Sequence, residues 1–285
     1  LYDKLHKTLL QQSVIQADET TLKVIESDKT KCYMWLYCTG TDSPENNHTN
    51  IPNIVLYDFH ESRASQCAID FLQGHSGYLQ VDGYQGYAST DATLAGCWAH
   101  ARRKFKEADI VQGKGKPKAG KATWAMAHIQ KLYRIESLIK DKTAEEKQAY
   151  RAEHATPLLE EYKKWLDKSI QHVPPKSALG KALSYNINQW PKLIRYVDDG
   201  RLNIDNNRAE RAIKPFVIGR KNWLFSNTVS GAHASSILYS IIETAKANEL
   251  IPFNYLHHIL EALSHDMDEE KLDALLPWNA SLPVS

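Results

Sequence analysis

No run of apolar residues in this sequence is long enough to cross a bilayer, and the first dozen residues, Leu1 to Gln12, lack the apolar stretch of a signal peptide. A cytoplasmic protein with no membrane partner is expected. Cysteine is scarce. Cys32, Cys38, Cys67 and Cys97 include no C-x-x-C pair, which argues against a disulfide framework or a zinc-cluster spacing and predicts four reduced core residues. There is no initiator methionine; an opening at Leu1 predicts a fragment or processed product whose preceding segment carries further function. Repeats and low-complexity bias are also missing. With 42% hydrophobic and 24% charged residues the composition is that of a globular protein, and 285 residues allow a large core plus an insertion.

Net charge is almost absent at +1, yet its distribution is uneven, and local patches govern phosphate binding more than the sum does. Between His100 and Lys121 eight cations (Arg102, Arg103, Lys104, Lys106, Lys114, Lys116, Lys118 and Lys121) face only Glu107 and Asp109. Between Arg208 and Lys221 five cations surround the single acid Glu210. The acidic excess collects from Asp266 to Asp273. A solvated charged face is the plainer reading of any one such run.

The first ninety residues read as strands. Val14 to Val24, Tyr33 to Cys38 and Ile54 to Phe59 are strand-length runs bounded by turn residues, which predicts an antiparallel meander. Ala64 to Leu72 has a helical period ending at Gly74, Tyr78 to Val81 a fourth strand, and Gly96 to Ala99 a fifth, ahead of a basic helix from Ala101 to Ala108. Three antiparallel strands, a helix and further strands follow the order of a ribonuclease H-like α/β fold with a mixed sheet. Gly113 to Gly120 reads as a flexible lysine-glycine-proline loop opening an α-helical insertion over 113–200. The remaining divisions are a first core segment 1–112, a second core segment 201–264 and a C-terminal element 265–285. In the second core segment Asn207 starts a helix, Phe216 to Phe225 suits a loop or ribbon, and Ala232 to Ala247 forms a helix through Ile237, Leu238, Ile241, Ile242 and Ala245. Phe253 to Leu263 supplies a last amphipathic helix.

Two-metal phosphodiester chemistry needs hard oxygen ligands converging from separate elements. Asp18 interrupts a strand-like run, where an ionised carboxylate facing a core is costly without a cation or hydrogen bonds. Asp82 ends a strand before Gly83; a simple D-G turn explains it equally well. Asn207 and Glu210 have capping-box spacing, the plainer reading of Glu210 taken alone, although the flanking cations suit a ligand at a DNA-cutting site. Arg102, Arg103, Lys104, Arg208, Arg211, Lys214, Arg220 and Lys221 are candidates for DNA backbone contacts, which position without reading sequence. Trp223, flanked by Lys221 and Phe225, suits stacking on a base or, more plainly, a place in the core.

Four strings carry a resemblance: A-D-E-T at Ala17 to Thr20, V-D-G-Y at Val81 to Tyr84, C-W-A-H-A-R-R-K-F at Cys97 to Phe105, and N-N-R-A-E-R-A-I-K-P-F-V-I-G-R-K-N-W-L-F at Asn206 to Phe225. Together with Gly231 to Asn248 and the short acidic C-terminal element, they resemble the catalytic region of insertion sequence 66 family transposases. The resemblance implies a DDE triad of Asp18, Asp82 and Glu210, 64 and 128 residues apart, holding two magnesium ions for which manganese can substitute. It implies DNA cleavage and strand transfer, with transposon ends and target DNA as partners. A homodimer or higher synaptic complex, accessory proteins of the same element and a nucleoid-associated location are also implied. Family members carry N-terminal DNA-recognition segments, one helix-turn-helix-like and one cysteine-rich, that this chain does not contain. Cys97-x-x-His100 resembles a C/D-x-x-H signature found after the second aspartate of several DDE transposases, with His100, like Asn207, supporting the site from behind its ligands or touching phosphate.

Two other classes fit the residues. A ribonuclease H-like nuclease or junction resolvase would use the same metals without strand transfer. A non-catalytic DNA-binding transposase remnant would keep the basic patches without cleavage. A paired-carboxylate glycosidase explains neither the basic patches nor the third acid.

Overall fold

A helix precedes the first strand. In α1 (Tyr2–Leu10) Leu5 and Leu9, one turn apart, are fully buried. The sequence reading, which began its elements at Val14, missed it, because an apolar pair among lysines and histidines is too short a periodic signal. The computed structural model describes residues 1–42, 44, 51–111, 120–264, 268–280 and 282. The lysine loop at Lys114, Lys116 and Lys118 lies outside these residues, as does Asp266.

The expected meander follows α1. β1 (Val14–Leu22), β2 (Cys32–Thr39) and β3 (Ile54–His60) pair antiparallel, with Asp18 opposite Leu36 and Tyr57 also opposite Leu36 from the other side. After α2 (Ser65–Phe71), β4 (Tyr78–Gln80), a 3-10 turn at Gln85–Ser89 and β5 (Thr93–Ala95) complete a five-stranded sheet ordered β3-β2-β1-β4-β5. The architecture is mixed α/β, as expected.

Two boundaries differ from expectation. The fifth strand is Thr93–Ala95, and residues 98 onward already belong to α3 (Trp98–Val111). A short apolar run does not distinguish strand from helix, and here Trp98, Ala101, Phe105 and Ala108 form a fully buried helical stripe. The stretch from Phe216 is likewise neither loop nor ribbon, because α7 (Asn207–Trp223) continues through Pro215. Ala212, Ile213 and Phe216 bury their side chains on both sides of that proline, so packing outweighs the hydrogen bond its ring removes. The helix stops only at Leu224, which adopts φ +67° and donates its N–H to the Arg220 carbonyl at 2.8 Å.

The remaining helices are α4 (Lys121–Leu138), α5 (Ala144–Ile170), α6 (Ala178–Leu193), α8 (Val229–Ala247), α9 (Pro252–Leu263) and α10 (Glu269–Ala274). Among the described residues no helix is long and apolar enough to cross a membrane. All four cysteines are free and buried.

The chain divides into two compact units. The first holds Leu1–Leu79, Tyr84–Thr93 and Asn207–Ser285, the second Gln80–Gly83 and Leu94–Asn206. In the first, α7 packs on β1 and β2, burying Ala209, Ile213 and Phe216 against Met34, Leu36 and Tyr57. Helix α8 covers β3, which stands at the edge of the sheet. The face α8 buries there is largely polar. Thr244 Oγ1 accepts from the Val55 N–H at 3.0 Å and donates to its carbonyl at 2.8 Å, Ser240 Oγ accepts from the Tyr57 N–H at 2.7 Å, and Asn53 reaches the Ala247 carbonyl at 2.9 Å. Ile237 and Leu238, two of the residues from which the helix was read, are 42% and 52% exposed. The helix matches the sequence reading, but hydroxyls one turn apart supply partners for a strand edge that has no neighbouring strand.

In the second unit α3 packs on α4 and α6, and α5 on both. Its centre is aromatic: Trp124 stacks on Trp165 at 4.4 Å and on His128 at 4.7 Å, while the Trp98 indole donates to the Leu193 carbonyl at 2.9 Å. Arg151, buried on α5, pairs with both Glu136 oxygens at 2.9 and 2.6 Å and donates to the carbonyls of Tyr196, Asp199 and Leu202. Thr143 and Glu146 form a reciprocal capping box that starts α5.

Candidate active site

Asp18 lies in the middle of β1, half-buried, and its Oδ1 accepts from the Glu19 N–H at 2.8 Å. Alternation along the strand sends Asp18 and Glu19 to opposite faces. Glu19 is held by the Tyr87 hydroxyl at 2.6 Å and by Arg63 at 2.9 Å. Asp18 shares its face with Thr20 and Leu22. That face is the one α7 covers: Leu22 belongs to the same core cluster as Ala212 and Phe216, and Arg220 on α7 donates to Thr20 Oγ1 at 3.0 Å and to the Thr21 carbonyl.

Glu210 sits in the first turn of α7, so the first unit sets Asp18 and Glu210 on one strand and the helix packed over it. By the helix bounds Asn206 precedes α7 in the N-cap place, and the capping-box slot falls on Ala209 rather than Glu210. The cations around Glu210 separate by helical angle. At about 100° per residue Lys214 and Lys221 fall within about 40° of Glu210, whereas Arg208 lies about 160° away. Arg208 and Arg211 both turn to Asp42, at 3.2 and 2.7 Å. Glu243 on α8 pairs with Lys246 at 2.7 Å and lines the same cleft as Arg208.

Trp223 packs partly buried on the core, edge-on to Phe216 with centroids 5.3 Å apart. Its other side borders a cavity of about 330 Å³ shared with Phe225, Thr228, Ser235 and Tyr239.

Asp82 belongs to the second unit, directly after β4. Gly83 beside it leaves room for the Tyr185 ring. A Cβ there would stand 2.9 Å from the Tyr185 ring and 3.0 Å from its hydroxyl. Burial raises the Tyr185 phenol pKa, and the charge of Asp82 raises it further. Burial and Arg195 lower that of Lys192, while Asp82 pulls it upward. The second unit therefore sets Tyr185 and Lys192 of α6 around Asp82. Lys104 lies over the Tyr185 ring at 5.9 Å, and Arg103 contacts His100 Nε2 at 3.0 Å one turn along α3. Cys97 is a buried thiol whose pKa burial pushes up to about 12; its sulfur accepts from the Asn206 N–H at 3.2 Å.

Asp42, Tyr185, Lys192 and Lys246 were not singled out from the sequence. Asp42, Tyr185 and Lys192 meet their partners across more than a hundred residues, where no local spacing signals the contact, whereas Lys246 pairs with Glu243 one turn back in α8.

Residues 1–234 match the family profile described as Transposase IS66 family, and residues 240–278 match the IS66 C-terminal element. The chain belongs to the IS66 transposase family. Among curated proteins it is 33% identical to the uncharacterized protein y4qI of Sinorhizobium fredii (strain NBRC 101917 / NGR234) over 277 residues, covering 92% of this chain and 50% of that protein. It is 33% identical to y4jD of the same strain over 293 residues, covering 98% and 56%. The IS66 chain thus spans about half the length of the curated relatives it matches. No solved structure matches it.

Proposed function

We propose that this chain is the strand-cutting and strand-joining region of an IS66 transposase, in which Asp18, Asp82 and Glu210 hold two divalent cations, magnesium or manganese. The observation that carries this reading is Asp18 on the face of β1 covered by α7, the helix bearing Glu210. The strand order β3-β2-β1-β4-β5, with its antiparallel first three strands, supports a ribonuclease H-like core with residues 113–200 as a helical insertion. Transposon-end and target DNA, a homodimeric or higher synaptic assembly and accessory proteins of the same element are the partners of this reading.

The donor set fits hard cations: three carboxylates from a strand, a strand end and a helix. When bound, such cations supply Lewis acidity and charge neutralisation to phosphodiester exchange. The chain's own residues do the positioning. Pairing to β2 holds the Asp18 backbone rigid, Tyr87 and Arg63 keep the Glu19 carboxylate on the other face, and Tyr185 packs over the residue that follows Asp82. Lys214 and Lys221, on the Glu210 side of α7, are placed to contact backbone phosphates, and the Trp223 cavity is wide enough for an unstacked base.

The test uses the full-length transposase on DNA carrying the element's ends. Asp18→Asn, Asp82→Asn and Glu210→Gln should each abolish magnesium-dependent cleavage and strand transfer while leaving the melting temperature without metal unchanged or raised. Retained cleavage in any of the three removes that residue from the triad.

A further inference from the structure

The cleft that engages Arg208 contains an incomplete ion network. Its cations are Arg208, Arg211 and Lys246; its acids are Asp42 and Glu243. Glu243 pairs with Lys246, and Asp42 binds Arg211 at 2.7 Å and Arg208, through Nη1, at a long 3.2 Å. The Arg208 side chain is only 8% exposed, and its Nε and Nη2 find no partner among the described residues. Those two atoms form one edge of the guanidinium, the fork whose parallel N–H groups match two oxygens of a phosphate or carboxylate. Buried charged donors are ordinarily satisfied, so this fork, closed to solvent behind the cleft wall, calls for an anion that enters as Asp42 lets go. The cleft, about 150 Å³, has room for a phosphate group.

We propose that this cleft between α7 and α8 binds one phosphate group, a phosphodiester of the DNA backbone, at a site separate from the carboxylates. The source rests on the transposase reading; the phosphate chemistry does not. Arg208 offers its free edge, Arg211 and Lys246 complete the rim, and Asp42 is the internal competitor that a phosphate displaces.

Two measurements test this, each on the wild type, Lys246→Gln, Arg211→Gln and Asp42→Asn, which spare the buried Arg208. The first is thermal stabilisation by inorganic phosphate over chloride at constant ionic strength. It should appear in the wild type, shrink with either cation variant and grow with Asp42→Asn, because removing the competitor frees both arginines. A purely structural network gives the opposite sign for Asp42→Asn: lower stability and no phosphate response. Absence of a phosphate response in both wild type and Asp42→Asn would overturn the site. The second is the salt dependence of DNA binding, whose log–log slope should fall by about 1 in Arg211→Gln. A phosphate response with an unchanged slope overturns DNA as the source. Cleavage is assayed separately, so metal-dependent cutting with no phosphate response rejects this site alone, and a phosphate response without cutting rejects the catalytic reading alone.

Discussion

The two units satisfy their buried polar groups by opposite means. In the sheet unit the exposed edge of β3 is closed by short hydroxyls on α8, each making one or two hydrogen bonds to backbone. In the helical unit a single long side chain, Arg151, gathers a carboxylate and three carbonyls from chain turns that have no regular partner. The first arrangement is distributed and neutral, the second concentrated and charged. The difference teaches where each unit is fragile: loss of one hydroxyl should be local, whereas loss of the guanidinium strips several groups at once.

Arg151→Ala should therefore have the largest effect. It leaves Glu136 without its buried partner and three carbonyls without a donor, and should cost about 3–5 kcal/mol, read as a lower denaturant midpoint. A cost below about 1 kcal/mol would mean that water replaces the clamp and that the two units do not differ as described.

Thr244→Val tests the other side. The shapes match, but the Val55 N–H and carbonyl lose their partner, for about 1–3 kcal/mol. An additive, similar cost for Ser240→Val would confirm a distributed edge; a double variant far worse than the sum would make the edge cooperative, like the clamp.

The smallest expected effect is in pH dependence, and it has opposite signs in the two units. Burial lowers the His128 pKa, so its contribution is full above the ordinary value of about 6.5 and is lost as pH falls through the lowered folded value. The Asp58 hydrogen bond raises the His60 pKa, so its contribution is full below about 6.5 and is lost as pH rises through the raised folded value. Unfolding midpoints between about pH 5 and about pH 8 should show His128→Gln flattening the acid-side loss and His60→Gln flattening the alkaline-side loss. The same direction of change for both variants would contradict these assignments.

Much of the sheet was legible in the sequence because β1 and β3 carry β-branched residues and β2 is a short aromatic-rich apolar run, each cut by turn residues. Asp18 stood out as a charge inside such a run. The end of α7 was not legible, since Pro215 and mixed polarity hide a helix that packing sustains. For α8 the helix was legible and its buried face was not, because periodicity assigns apolar residues inward while an unpaired strand edge needs hydroxyls. Gly83 was read as a turn residue; its real constraint is the Tyr185 ring, a hundred positions away and invisible to any local rule.

The seal on β3 also has a consequence in time. Val55 and Thr244 are 189 positions apart, so on a ribosome adding roughly 5–20 residues per second the strand waits about 10–40 s for its cover. During that interval the emerging chain presents an unpaired β-edge to every neighbouring polypeptide. Protection of nascent chains up to the synthesis of α8, by a chaperone or by slow initiation that spaces ribosomes apart, should raise the yield of folded protein without altering the stability of the finished molecule.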